Sequence, residues 1–157
     1  MEPTNRIGHG YDLHRLQPAG RLLLAGIEVS ADISPIAHSD GDVVIHALVD
    51  ALLGALALGD IGEHFPDTDP QWKDAPSSLF LQHAYELAKS AGYTLVNADV
   101  TILAERPKLK PFKPLMIENL RQILGGQINI KAGTNEKCDA IGRGEAIAAH
   151  AVVLLAK

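Results

Sequence analysis

The sequence predicts a single α+β domain over residues 1–157, a mixed β-sheet with three helices packed on one face. Three observations carry this. Segments with a hydrophobic period of two and of about 3.6 follow one another in the order strand, strand, helix, helix, strand, helix, strand, strand. The 157 residues are 46% hydrophobic and 21% charged, enough for a core and too apolar for a disordered chain. No linker, repeat or low-complexity tract divides them.

Asn5 to Leu16 reads as the first strand, with Gly8 and Gly10 inside it. Leu22 to Val29 reads as a second strand after the turn at Pro18-Ala19-Gly20, and Ser30 to Ala37 as a loop holding Pro35. The stretch that organises the rest is a helix over Val43 to Leu58. Nearly every position in it is Val, Ile, Leu or Ala, the mark of a helix buried all round. Ser39 or Asp40 can cap it, Ser39-x-x-Asp42 resembles a capping box, and Gly59 closes it. Asp60 to Pro76 has no periodicity, and seventeen such residues inside a compact domain point to a functional or mobile segment. Ser77 opens a second helix with Phe80, Ala84, Leu87 and Ala91 on one face and Gly92 after its end. Tyr93 to Ala104 alternates, with Val96, Ala98, Val100 and Ile102 sharing a face, which is a strand. Pro107, Pro111 and Pro114 bracket a turn. A third helix follows, with Met116, Leu120, Ile123 and Leu124 inward and Gly125-Gly126 ending it. Gln127 to Thr134 is a strand, Asn135 to Gly144 a polar loop, and Glu145 to Ala156 a last strand with Ile147, Ala149, Ala151, Val153 and Leu155 on one face.

Composition narrows the function. Net charge is -5 and no Lys/Arg cluster stands out, which argues against nucleic acid. A single cysteine, Cys138, excludes an intrachain disulfide framework and suits a reducing compartment. Met1 to Arg6 carries neither a signal core nor transit-peptide character, and the one greasy run is too short and too polar to span a bilayer. The expectation is a soluble cytoplasmic protein. Only seven residues are Phe, Trp or Tyr, so the core is built from aliphatic side chains and some burial is expected from subunit contacts.

The chemistry concentrates at a few places. Asp42, His46 and Asp50 interrupt the greasy helix at i, i+4 and i+8, one stripe of one face. Buried carboxylates and imidazoles need partners. Asp12 and His14 share a face of the first strand. With His46 they offer two imidazoles and a carboxylate, the pattern of a zinc site with an open fourth position, although a surface Asp-His pair plus a structural histidine gives the same spacing. His38-Ser39 precedes a helix N-terminus, where backbone N–H groups favour phosphate, or else is an ordinary cap. Lys131 to Lys137 leaves a strand into a loop that by itself reads first as a plain polar turn, although Thr134 could meet a phosphate and Glu136 a hard cation there. Arg143 beside Glu145 offers either an anion contact or a surface ion pair. His9, His64, His83 and His150 have no matched partner in the pattern, and Cys138 has none either.

Taken together, Arg6-Ile7-Gly8-His9-Gly10-Tyr11-Asp12-Leu13-His14, Ala37-His38-Ser39-Asp40-Gly41-Asp42, His46-Ala47-Leu48, Asp50 to Gly54, Leu58 to Gly62, Phe65 to Pro70, Arg106-Pro107-Lys108-Leu109, Lys131 to Glu136 and Gly142 to Glu145 resemble the 2-C-methyl-D-erythritol 2,4-cyclodiphosphate synthases. The likeness runs from Arg6 to the end. It implies a homotrimer with active sites between adjacent subunits, in which the 2-phosphate of a CDP-linked methylerythritol closes a cyclic diphosphate and releases CMP. By the same resemblance Asp12, His14 and His46 hold Zn²⁺, with a substrate phosphate oxygen as fourth ligand. Glu136 helps hold Mg²⁺ or Mn²⁺ between the phosphates, and His38 and Thr134 steady the transition state. Ser39, Asp60, Ile61 and Gly62, with Phe65, Pro66, Asp67, Thr68 and Asp69, contact the methylerythritol phosphate part. Ala104, Lys108 and Leu109 build a cytidine pocket, and Gly133, Asn135 and Arg143 complete the substrate contacts. Asp42 and Asp50 are expected as capping or supporting groups around His46. Gly133 stands where relatives often carry Thr, and Cys138-Asp139-Ala140-Ile141 replaces a Leu-Gly-Phe-like stretch whose ring helps close an axial channel that takes isoprenoid diphosphates, with Arg143 and Glu145 at its mouth. Two rival readings are a zinc phosphoesterase, with Asp42 or His38 as base for water, and a trimeric isoprenoid-diphosphate-binding module.

Overall fold

The computed structural model describes residues 3–157. Its elements are β1 (Asn5–Pro18), β2 (Leu22–Leu24), β3 (Ile27–Ser30), β4 (Ile33–Pro35), α1 (Val43–Ala55), α2 (Ile61–His64), α3 (Ser77–Ser90), β5 (Thr94–Leu103), α4 (Lys113–Leu124), β6 (Gln127–Gly133), α5 (Asp139–Gly142) and β7 (Ala146–Ala156), with 3-10 turns at Pro70–Trp72 and Lys110–Phe112. The main sheet has the order β4-β1-β7-β5-β6. It is mixed: β5 and β6 run parallel, joined by the α4 crossover, and the other pairs are antiparallel. The alternation in β7 works as expected, with Ile147, Ala149, Ala151, Val153 and Leu155 buried toward the helices.

The central layer is α1, which packs on β1 and β7 on one side and on α3 on the other. All its residues except His46, Asp50 and Gly54 are buried. It lies on β1 without a gap: a Cβ placed on Gly8 or Gly10 would stand 1.8 Å from the carbonyl oxygen of Ala51 or Ala47. Glycine is required there because backbone meets backbone. The same strand face continues through Asp12 and His14, so the close approach that fixes Ala47 also brings His46 over them.

Several boundaries differ from the sequence reading. Leu22 to Val29 is a hairpin of two short strands, turning at Ala25 (φ 52) and Gly26 (φ 77). The turn exists because Asp42, fully buried, accepts from the Ala25 N–H (3.0 Å) and the Gly26 N–H (2.7 Å) while capping α1 at Ile45 N (3.1 Å). Asp42, and neither Ser39 nor Asp40, is therefore the N-cap. Residues 33–35, expected in a loop, pair with the end of β1. Helix α1 stops at Ala55, earlier than Leu58: Ala57 takes the left-handed position (φ 56), with Leu58 N donating to Leu53 O and Ala57 N to Gly54 O. This is a Schellman closure made by alanine, two residues before the glycine that pattern reading favours. Val96 is 44% exposed because the register shifts between Leu95 and Asn97, which turns Leu95 inward instead.

The face of the sheet away from the helices carries Ile7, Tyr11, Leu13 and Val152, all substantially exposed. His9 and His150 meet on it, Nε2 to Nδ1 at 3.1 Å, a pairing no sequence pattern announced. Among the described residues no helix is long and apolar enough to cross a membrane.

Candidate metal centre and active site

Asp12 Oδ2 lies 3.1 Å from His14 Nε2 and 3.0 Å from His46 Nδ1, and the two imidazole nitrogens are 3.4 Å apart. Ligands on a tetrahedral zinc at its usual bond lengths are separated by about 3.3 Å. The donor types and all three edges thus fit a zinc-like ion, with one position left for a ligand from the pocket. Among the described residues this is the one group of three His, Cys, Asp or Glu side chains arranged to hold a metal. Burial opposes the charge on Asp12, but hydrogen bonds with His14 and His46 outweigh it and hold the carboxyl well below its ordinary range. Burial likewise opposes the imidazolium of His46, and Asp12 more than offsets it, so the His46 pKa is raised. Asp12 and His46 thus favour each other's charged forms.

They open onto a pocket of 450 Å³ lined by His14, Ala37, His38, Ser39, His46, Ile61, Gly62, Phe65, Pro66, Asp67, Trp72, Lys73, Asp74 and Phe80. The side wall is the segment read from sequence as unstructured. It is held at two levels. Asp50 accepts from Ile61 N (2.8 Å), and Asp60 caps α2 at Glu63 N (3.1 Å). Phe65 stacks on Phe80 with ring centroids 4.5 Å apart and meets Trp72 edge-on at 4.9 Å, with His83 at 5.4 Å. Asp42 and Asp50 are thus structural: one builds the hairpin turn and the cap, the other sets the start of α2.

The predicted residues fall into two groups. His14, His38, Ser39, His46, Ile61, Gly62, Phe65, Pro66 and Asp67 line the pocket, with Asp12 at its base. Thr68 and Asp69 lie just beyond it, where Asp69 caps the Pro70–Trp72 turn at Gln71 N (2.9 Å). The remaining residues sit at the carboxyl ends of β5 and β6 and in the loops that follow, with Arg143 in the turn that leads into β7. Ala104 N donates to Gly133 O (3.0 Å) at the carboxyl ends of the parallel strands β5 and β6. Leu109 is buried beside them and Lys108 exposed. Thr134 Oγ1 accepts from Glu136 N (3.2 Å), Asn135 Nδ2 donates to Asp139 (2.9 Å), and Arg143 grips Glu145 (3.0 Å). With β7 and β5 between them, β1 and β6 are about 14 Å apart at the usual strand spacing. By that spacing the residues at the end of β6 stand apart from the metal-type triad within one chain. Trp72, Lys73, Asp74 and Phe80 of the pocket wall, and Asp40 and Ser77 behind His46, were not singled out from sequence. The WKD segment lacks any periodic or motif signal; Asp40 sits inside the His38 to Asp42 motif and was read there only as a possible cap.

This is a small α+β protein built around a three-ligand metal-type centre that opens into a pocket. The chain belongs to the YgbB family, whose model matches residues 5–156. It is 53% identical over 153 residues to a chloroplastic 2-C-methyl-D-erythritol 2,4-cyclodiphosphate synthase of Catharanthus roseus, covering 96% of this chain and 65% of that protein's own length. To the protein of that name from Geobacter metallireducens it is 54% identical, covering 96% and 98%. A solved 2C-methyl-D-erythritol-2,4-cyclodiphosphate synthase in its CDP-bound form superposes with a TM-score of 0.89 at 40% identity, covering 96% of this chain and 99% of that one.

Proposed function

We propose that this chain is a 2-C-methyl-D-erythritol 2,4-cyclodiphosphate synthase, a phosphorus-oxygen lyase of non-mevalonate isoprenoid biosynthesis. The observation that carries the reading is the convergence of Asp12, His14 and His46 at the base of a pocket walled by His38 and Ser39. The substrate is 4-CDP-2-C-methyl-D-erythritol 2-phosphate. An oxygen of its 2-phosphate forms a bond to the β-phosphorus, the bond from that phosphorus to the CMP oxygen breaks, and CMP leaves with the electron pair. The nucleophile is already an anion, so no strong protein base is needed; the task is to align two anionic groups and hold them.

His38, Ser39 and Thr134 present donors to phosphate oxygens, and His38 and Thr134 act where charge builds in the transition state. Asp60, Ile61, Gly62 and the Phe65 to Asp69 segment enclose the methylerythritol part. Ala104, Lys108 and Leu109 take the cytidine, with Gly133, Asn135 and Arg143 beside them. Zn²⁺ on Asp12, His14 and His46, and Mg²⁺ or Mn²⁺ at Glu136, would supply positive charge to the phosphates. The two residue groups come together in a homotrimer, the triad of one copy facing the β5–β6 end of the next. The bare apolar sheet face is the natural contact. We take the cytoplasm as the site of action, in keeping with the free, exposed Cys138.

The test is phosphorus NMR of the purified protein, zinc retained and Mg²⁺ added, with that substrate. CMP with a cyclic diphosphate is the expected outcome. CMP with a linear product would replace this reading by the phosphoesterase, and no turnover in a metal-loaded trimer would replace it by the binding module. His46→Ala is expected to abolish zinc retention and turnover while the oligomer persists.

A further inference from the structure

We propose that Asp40 and Ser77 are positioning residues that fix which nitrogen of His46 is free to bind a metal. This rests on the reading of Asp12, His14 and His46 as a metal site, and it concerns the other edge of the same ring. The Nδ1 edge of His46 faces Asp12 and His14. Its Nε2 lies 2.8 Å from Ser77 Oγ and 3.3 Å from Ser39 Oγ. Ser77 is fully buried, and its Oγ is in short contact with Asp40 Oδ1 while its backbone N–H donates to Asp40 Oδ2 at 2.8 Å.

The proton count then runs one way. An ionised carboxylate only accepts, so the single hydroxyl proton of Ser77 goes to Asp40. The Ser77 oxygen has lone pairs left and can only accept from His46. Nε2 therefore carries a proton. Asp12, ionised and 3.0 Å from Nδ1, accepts another there, so a metal that displaces a proton from the ring displaces it from Nδ1 and leaves Nε2–H in place. Ser39, the longer contact, accepts from Gly41 N at 3.2 Å and lines the pocket, so its hydroxyl is free to turn to a ligand. Helix α3 has no side-chain cap of its own at Pro76. Asp40 fills that role from the loop before α1, where its charge also suits the helix N-terminus. One carboxylate thus orients the ring and pins the residue at which the pocket wall re-enters the helical layer.

Asp40→Asn keeps the volume but reverses the order of donors. Its amide group can donate to Ser77 Oγ, which frees the hydroxyl to donate to Nε2 and leaves the ring's one proton on Nδ1, at the position a metal would take. Two measurements test this. In zinc-loaded protein with ¹⁵N-labelled histidine, the His46 Nε2–H is expected to be protected from solvent exchange in the wild type and to lose that protection in D40N and in Ser77→Ala. In zinc-loaded protein, competition with a chromogenic chelator is expected to show affinity reduced about 10- to 100-fold in both variants. A wild-type Nε2–H that exchanges as fast as that of D40N overturns the proposal, and so does wild-type zinc affinity in folded D40N. His46→Ala separates the two failures. If it binds zinc as the wild type does, the metal reading falls. If it loses zinc while D40N and S77A keep theirs, only the role of Asp40 and Ser77 falls. Should S77A not fold, D40N alone decides.

Discussion

Asp42 is a carboxylate with no exposed surface and three backbone N–H donors around it. Burial pushes its pKa up to about 6, against the pull of those donors, so its ionised form is strained in the folded chain. A carboxyl persists there because both of its oxygens can accept, which no amide side chain offers. Asparagine has one carbonyl oxygen for three donors, and its amide group would face an N–H. Asp42→Asn is expected to destabilise the protein by about 1–3 kcal/mol, the cost of leaving a buried donor unpaired. The sign of its pH dependence follows from the raised pKa. The unfolded carboxyl ionises near the model value of 3.8 and the folded one near 6, so the folded state holds more protons between these values. The stability that protonated Asp42 contributes is complete below about pH 4 and lost as pH rises through 6. The gap between wild type and D42N, measured by urea unfolding of metal-free protein, should be widest near pH 4 and narrow toward pH 7. A gap that widens with pH would show that the ionised form is the stabilising one. At this scale the sequence was partly legible: the 42-46-50 stripe is visible, but its division of labour is not. Only the fold shows that Asp42 turns toward a hairpin, Asp50 toward Ile61 and His46 toward the pocket.

At the scale of elements, what positions the site is the contact between α1 and β1. Gly8 and Gly10 let the helix carbonyls touch the strand, and the ligands sit one step further along each element, at His46 and at Asp12 and His14. A methyl group on Gly10 has no room, because the obstacle is the backbone oxygen of Ala47, which cannot rotate away. Gly10→Ala is expected to cost about 3 kcal/mol, at the upper end of overpacking, and to displace His46 from its two partners. Urea midpoints and zinc stoichiometry measured together check it; a stable variant with full zinc content would mean the helix shifts freely on the strand. The long elements were readable because α3, α4, β5 and β7 each carry a hydrophobic period and α1 is an unbroken apolar run of helical length. The short ones were not. The β2–β3 turn depends on Asp42, sixteen or more residues away, and residues 60–76 are ordered by Asp50 and by the Phe65, Trp72, Phe80 and His83 rings, contacts that leave no periodic trace.

At the scale of the whole molecule, the residues that motif likeness assigns to one active site lie at two places on this chain. The triad and its pocket are on the β1 side. Gly133, Thr134 and Glu136 are at the end of β6, three strand spacings away, and Ala104 follows β5, two away. Motif order along a chain carries no information about which copy a residue serves; sites between subunits come only from the family resemblance, and the fold alone shows how far apart the two groups lie. If two copies must meet to complete a site, two variants that are each inactive can repair one another. His46→Ala removes a triad ligand, and Glu136→Ala removes the proposed second cation's ligand from the other edge; neither side chain belongs to the hydrophobic core. Mixed, dissociated and reassembled one to one, they form trimers in which a site is intact only where a triad from the Glu136→Ala chain faces an edge from the His46→Ala chain. Random assembly makes that true of about one site in four. Activity should therefore return to roughly a quarter of the wild-type value from two silent proteins, a recovery that a site housed within one chain cannot give. Adding Val152→Glu to both variants puts a carboxylate on the bare apolar face; it should block reassembly and abolish the recovery, with sedimentation showing single chains. Recovery that survived this change would place the contact between copies on some other surface.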